Sequence, residues 1–129
     1  MLADLIAWIT GGVAQAAVDP MAWRQRAAVA AESGQVLGAF RVRQGTVSGL
    51  GRHWREVEAR LNGHRLAFER QRLPLDDLRR MARPRARDAF GLMVPDPVLV
   101  EIRSGDAVVE WALPETDADG ILDPWQAGR

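Results

Sequence analysis

The chain has 129 residues, of which 47% are hydrophobic and 26% charged, and its formal net charge is zero. This composition is typical of one globular domain, and it excludes a disordered chain and a protein that binds polyanions through its overall charge. Cysteine is absent, which excludes disulfide bonds and thiolate chemistry.

The first 33 residues predict a helical segment that precedes the main domain. Apolar residues recur at helical spacing over residues 2–17, and the stretch 5–18 carries no charge. Asp19 followed by Pro20 is a favourable start for a second helix, and Gly34 is a plausible end for it. We therefore expect a helical or anchor segment at 1–33 and a small β-rich domain at 34–129.

The uncharged stretch has three possible roles. It would span roughly 21 Å as a helix, which is short of the hydrocarbon core of about 30 Å. The first is a helix buried on its own domain or on a partner. The second is an interfacial or membrane-anchoring helix, and the third is a cleaved signal peptide. If it inserts, Arg24 and Arg26 mark the cytoplasmic side, so we expect the cytoplasmic face of a membrane or the cytoplasm. The candidate anchor residues are Leu5, Ile6, Trp8, Ile9 and Val13.

The strongest local pattern is a hairpin that follows a first strand predicted at 35–47. Asn62 and Gly63 form the pair that a two-residue type I′ turn requires, because both central residues of that turn have positive φ. Apolar and charged residues then separate onto opposite sides of both strands. The predicted opposite pairs on the apolar side are Leu61 with His64, Ala59 with Leu66, and Val57 with Phe68.

The middle of the chain is ambiguous and precedes a second hairpin. Residues 74–82 are compatible with one or two helical turns, and residues 83–88 with a loop or an edge strand. Residues 98–113 alternate as a hairpin with its turn at Gly105-Asp106, or at Ser104-Gly105 with the same faces.

The C-terminal residues predict a short helical turn. Pro114 ends the last strand, and Asp117 or Asp119 would cap a turn that contains Ile121, Leu122 and Trp125. Pro124 would limit its length.

These elements predict an α+β fold. A single N-terminal helix or a helical pair is followed by a small, mainly antiparallel β sheet or a partly open barrel. The predicted core comprises Val57, Leu66, Phe68, Val100, Ile102, Val109 and Trp111.

Three stretches resemble an uncharacterised actinobacterial family of small membrane-anchored proteins. They are GRHWREVEARLNGHRLAFER, PVLVEIRSGDAVVEWALP and GILDPW, and the similarity covers residues 36–125. The resemblance implies one N-terminal transmembrane helix, a pleckstrin-homology-like β domain and a closing helix. It implies no catalytic residue, because no activity is established for the family.

Residues that could support catalysis or metal binding are sparse. His53 and His64 are the two histidines, and they could join carboxylates in a metal site or simply lie at the surface. The aspartates at 117, 119 and 123 lack the full EF-hand spacing. We find no nucleophile with a nearby base, so the sequence predicts a protein that is not an enzyme and that uses no cofactor.

A group of five arginines is the best candidate for binding. These residues would form a basic patch for an anionic surface, or a solvated loop paired with neighbouring aspartates. The candidates are Arg79, Arg80, Arg83, Arg85 and Arg87.

Two functions follow from these features. The first is a non-catalytic interaction or scaffold module held at a membrane or in a complex by its N-terminal helices. The alternative is a structural subunit of a larger assembly, such as a phage particle or a multiprotein membrane complex. The expected partner is a protein or an anionic membrane surface. Nucleic acid is disfavoured, because the strands offer few exposed aromatic side chains. The sequence shows no small-molecule site.

Overall fold

The computed structural model describes residues 20–81 and 94–128. Within these ranges the chain forms helix α1, seven strands and helix α2, and the strands make one antiparallel open sheet in the order β4-β3-β2-β1-β7-β6-β5. The predicted α+β class, with a helix before an antiparallel sheet, is confirmed. The elements are α1 (Pro20–Glu32), β1 (Val36–Gln44), β2 (Arg55–Asn62), β3 (Arg65–Phe68), β4 (Gln71–Pro74), β5 (Asp77–Arg80), β6 (Pro97–Ser104), β7 (Ala107–Pro114) and α2 (Glu115–Ala127).

Helix α1 ends as the sequence predicts. Gly34 has a φ of +73°, a conformation that glycine adopts without steric cost. The amide of Gly34 donates to Ala31 O at 2.9 Å, and the amide of Gln35 donates to Ala30 O at 2.9 Å. These two bonds are the Schellman pattern that satisfies the last carbonyls of a helix. The earlier helix expected at 2–17 lies outside the described residues.

The second hairpin has the first of its two predicted registers. Ser104 lies opposite Ala107, and Ile102 lies opposite Val109, so Gly105 and Asp106 are the central residues of the turn. Gly105 has a φ of +56°. Gly105 is a central residue in both predicted turns, and the structure selects the turn in which it comes first.

The first hairpin keeps its predicted faces but turns one residue later than expected. Asn62 lies opposite Arg65, so Gly63 and His64 are the central residues, and the predicted Asn62-Gly63 turn is wrong. Gly63 has a φ of +62°, whereas Asn62 and His64 are not among the described residues with positive φ. Positive φ at the first central residue alone is the pattern of a type II′ turn, which takes glycine there.

The change of turn also changes the strand partners. Ala59 lies opposite Phe68 and Leu61 lies opposite Leu66, in place of the predicted pairs. Each partner moves by two residues along β3, which is one full pleat, so every side chain keeps its face.

The helical turns proposed for residues 74–82 are absent from their described part. Pro74 ends β4, and β5 follows after two residues and pairs with β6. Leu78 is the buried residue of this short strand. Residues 77–80 are a strand because they form backbone hydrogen bonds with β6, and this pairing outweighs their local helical preference.

Leu75 and Asp76 join the two edges of the sheet. The amide of Leu75 donates to His64 O at 2.7 Å, next to β3, and the amide of Asp76 donates to Arg103 O at 2.8 Å, in β6. The Asp76 carboxylate also accepts a hydrogen bond of 2.6 Å from the amide of Gly105. Because consecutive residues reach both edges, the sheet must curl upon itself and enclose an inner face.

The inner face holds the main core. All seven predicted core residues are buried there, which confirms the assignment of faces in both hairpins. Phe40 of β1 stacks between Phe68 and Trp111, with ring centroids 5.6 and 5.2 Å apart. Close packing requires Gly38 in β1, because a Cβ there would lie 2.7 Å from both Trp111 Nε1 and Leu113 Cδ2.

Helix α2 covers one end of this core and is longer than predicted. It begins directly after Pro114, and no side chain caps it, so the expected cap by Asp117 or Asp119 is wrong. Pro124 lies inside the helix, which continues for three more residues. The buried side chains recur at the spacing of one helical face and outweigh the cost of the proline. They are Ala118, Ile121, Leu122 and Trp125.

The outer face of the sheet is covered in part by α1. Trp23 and Ala30 are each 2% exposed and belong to a second apolar cluster with Leu37, Leu99 and other residues of β1, β6 and β7. The central strands are therefore buried on both faces over this half of their length. The predicted boundary after residue 33 falls in the turn between α1 and β1.

Candidate functional site

A line of ionic side chains lies on the outer face of the sheet, next to the apolar cluster that α1 covers. Arg41 in β1 lies opposite Glu110 in β7, Glu110 lies opposite Glu101 in β6, and Glu101 lies opposite Arg79 in β5. Arg43 and Arg103 flank the line on their own strands. We call these six residues the arginine–glutamate ladder.

Each glutamate of the ladder contacts two arginines. Arg41 Nε lies 2.6 Å from Glu110 Oε1, and Arg43 Nη1 lies 3.7 Å from Glu110 Oε2. Arg79 Nη2 and Arg103 Nε lie 3.2 and 3.0 Å from Glu101 Oε1. Arg41 also places its guanidinium over the ring of Trp54, 4.4 Å from the ring centroid.

The burial of the ladder is uneven. The side chains of Glu110 and Glu101 are 4% and 7% exposed, whereas those of Arg79, Arg103 and Arg43 are 62%, 55% and 52% exposed. The carboxylates are therefore held in the sheet, and three of the four guanidinium groups reach solvent. Asp77 of β5 lies opposite Arg103 on the same face, so four arginines against three acidic residues leave one positive charge in excess.

The sequence contains one signal for this site. Once Gly105 and Asp106 are taken as the turn, Glu101 and Glu110 must be direct neighbours across β6 and β7. Like charges in opposite positions of a sheet repel, so a stable sheet needs cations on the adjoining strands. Which arginines supply them depends on the pairing of β1 with β7 and of β5 with β6, which is not local.

The five predicted binding arginines do not share one face in their described part. Because successive side chains of a strand point to opposite faces, Arg79 joins the ladder and Arg80 faces α2. Arg80 Nη1 donates to Asp119 Oδ1 at 2.7 Å, and Arg80 Nη2 donates to Glu115 Oε1 at 3.2 Å. Arg83, Arg85 and Arg87 lie outside the described residues.

Helix α1 presents an exposed surface beside a groove. In the described ranges, the exposed large hydrophobic side chains are Met21 and Val29, at 65% and 62%, and both belong to α1. The groove has a volume of about 610 Å³ and runs between α1 and β2. Val29 lines it together with Glu58 and with Arg26, which forms an ion pair with Glu56.

The histidines and C-terminal aspartates are not gathered into one cluster. The His64 ring packs edge-on against the Trp125 ring at 5.0 Å, and His53 is exposed before β2. In the ranges 20–81 and 94–128, no group of three histidines, aspartates or glutamates is placed to hold a metal ion. Burial raises the pKa of the Asp117 carboxyl, which lies in the first turn of α2.

Neither α1 nor α2, the helices of the described part, has the length and apolar character needed to cross a membrane. No protein-family model matches the chain, and comparisons with curated proteins and with solved structures found no match. The fold and the side chains themselves therefore carry the functional argument.

Proposed function

We propose that the protein is a non-catalytic interaction module that is held at a membrane or in a complex through its N-terminal segment. The observation that carries this proposal is the placement of exposed apolar side chains. Met21 and Val29 both lie on α1, the element that directly follows the uncharged stretch 5–18. An uncharged apolar stretch followed by a helix with two exposed apolar side chains supports an interaction surface in this part of the chain.

The packing of α1 supports a role for this helix as a rigid connection between the N-terminal segment and the sheet. Trp23 and Ala30 fix α1 to the sheet, so a force or contact at the N-terminal segment is transmitted to a folded body. In this proposal the candidate anchor residues Leu5, Ile6, Trp8, Ile9 and Val13 make the contact with the membrane or partner. The β domain then presents its remaining surface at a fixed distance from that contact.

The β domain is, in the same proposal, pleckstrin-homology-like. The seven-stranded antiparallel sheet that curls on itself, together with the C-terminal helix α2, supports this interpretation. The resemblance of residues 36–125 to the membrane-anchored family agrees with it. The role of the protein is then to dock and to position, and its partner is a protein or an anionic membrane surface.

The test is the association of the full-length chain with membranes. Ile6→Asp combined with Ile9→Asp places two charges on the predicted apolar stripe and should abolish recovery of the protein with sedimented vesicles or native membranes. Thr46→Asp with Gln126→Asp adds the same two charges at exposed positions outside α1 and should leave recovery unchanged. A deletion of residues 1–33 is less informative, because it also removes Trp23 from the sheet.

Two results would count against the proposal. Equal recovery of the Ile6/Ile9 variant and the wild type would remove the anchor role of residues 5–13. A wild-type chain that fails to associate with membranes, and that is stable only with partner proteins from its native source, would favour the structural subunit of a larger assembly.

A further inference from the structure

The arginines of the ladder have more hydrogen-bonding capacity than their ion pairs use. A guanidinium group carries five N–H donors in one plane. The ion pairs with Glu101 use one nitrogen of each partner, Arg79 Nη2 and Arg103 Nε. More than half of each of these side chains is exposed, so further donors of the two arginines face solvent.

The buried glutamates hold the arginines in position. Counted over the whole residue, Glu101 is 5% exposed and Glu110 is 3% exposed. The two lie opposite each other on β6 and β7. Each carboxylate is therefore a fixed acceptor that orients a pair of guanidinium groups. An arginine that is already oriented loses less side-chain entropy when it binds an anion, and its fork matches the oxygens of a phosphate group.

The ladder and helix α1 lie on the same face of the sheet. Trp23, in the first turn of α1, belongs to the same apolar cluster as Trp54 on the outer face. The ring of Trp54 in turn contacts the guanidinium of Arg41. The chain thus enters α1, at Pro20, beside the face that carries the ladder. A membrane that receives the preceding apolar residues would lie close to the exposed arginines.

We propose that the arginine–glutamate ladder is a binding surface for the phosphate head groups of an anionic membrane. This inference rests on the proposed function, in which the N-terminal segment supplies the apolar contact. The ladder adds the electrostatic contact and sets the orientation of the β domain against the membrane. Three exposed arginines spread over β1, β5 and β6 suit a plane of many phosphates better than one isolated ligand.

The experiment measures co-sedimentation of the full-length protein with vesicles of phosphatidylcholine alone and of phosphatidylcholine mixed in equal parts with phosphatidylglycerol. The test variant is Arg43→Gln with Arg79→Gln. It leaves Arg41 with Glu110 and Arg103 with Glu101, so that neither buried carboxylate loses both partners. The matched control is Arg65→Gln with Arg72→Gln, which removes two exposed arginines from β3 and β4.

We expect the test variant to bind the anionic vesicles roughly 25-fold more weakly than the wild type, because one arginine near an anionic surface contributes about fivefold. The control variant should bind within about twofold of the wild type. The difference between the two variants should disappear on pure phosphatidylcholine, and in high salt, which screens exposed charges.

Each failure has a distinct pattern. Equal binding of the test and control variants to anionic vesicles would overturn the role of the ladder. The proposed function would then still stand if the Ile6/Ile9 variant lost binding. If the wild type stayed in the supernatant with both kinds of vesicle, the role of the ladder and the attachment to a membrane in the proposed function would both fail. Ladder-dependent retention on immobilised polyglutamate in that case would assign the ladder to an acidic protein.

Discussion

Substitution of Trp23 by alanine tests whether α1 and the sheet form one folded unit. A buried tryptophan removes about 150–250 Å² from water, which corresponds to about 4–6 kcal/mol at about 25 cal/mol per Å². The indole Nε1 has no hydrogen-bond partner among the described residues. Its burial costs about 1–3 kcal/mol, which the substitution recovers. The expected net loss of unfolding free energy is therefore about 3 kcal/mol.

The assay is urea denaturation of the full-length chain, followed by far-UV circular dichroism and by tryptophan fluorescence. A loss of this size moves the midpoint by about 1.5 M when the slope is about 2 kcal/mol per molar urea. Met21→Ala is the control; Met21 is 65% exposed, so its truncation should change stability by less than about 0.5 kcal/mol.

A loss below about 1 kcal/mol for Trp23→Ala would refute the reasoning. So would two separate transitions in the wild type, because α1 would then unfold independently of the sheet. In either case the helix would be a linker to the N-terminal segment, and the contact between Trp23 and the sheet would be too weak to transmit position.

Three further substitutions test the packing, the turn and the ladder. Gly38→Ala should destabilise the protein by about 1–3 kcal/mol in the same urea assay, because the new methyl group has no room. Gly51→Ala is the control and should be neutral, because no atom lies within 4 Å of its Cβ position. Gly63→Val should lower the thermal midpoint, because valine resists the positive φ of the turn; an unchanged midpoint would mean that this turn does not hold the hairpin. Arg41→Ala should cost about 2–4 kcal/mol, since it leaves a buried carboxylate poorly paired. Glu110→Gln should cost less, because the neutral amide keeps an oxygen that accepts from Arg41 and leaves no charged group buried without its partner; the reverse order in urea denaturation would contradict this account of the pair.

Sequence alone predicted the existence and the faces of the second hairpin because two independent signals agree there, and it left two turns open. Gly105 can adopt positive φ, and the flanking residues alternate without interruption. In the first hairpin, Asn62 and Gly63 offer two turns that keep the same faces, and alternation cannot choose between them. The structure selects the later turn, in which Gly63 is the first central residue.

The strand β5 and the ladder could not be predicted because both depend on distant partners. Asp77–Arg80 contains one buried residue, which is too few to define a period. The hydrogen bonds with β6 make it a strand. The ladder likewise requires the registers of four strands that come from three separate parts of the sequence.

The composition of the ladder bears on its role. Two arginines would neutralise Glu101 and Glu110, and Arg41 and Arg103 already make the shorter contact with each. Arg43 and Arg79 sit farther away, at 3.7 and 3.2 Å, and are largely exposed, so they contribute little to the stability of the sheet. A surface charge that the fold does not need is available for a ligand. For this reason the removal of Arg43 and Arg79 is expected to separate membrane binding from stability, whereas the removal of Arg41 is not.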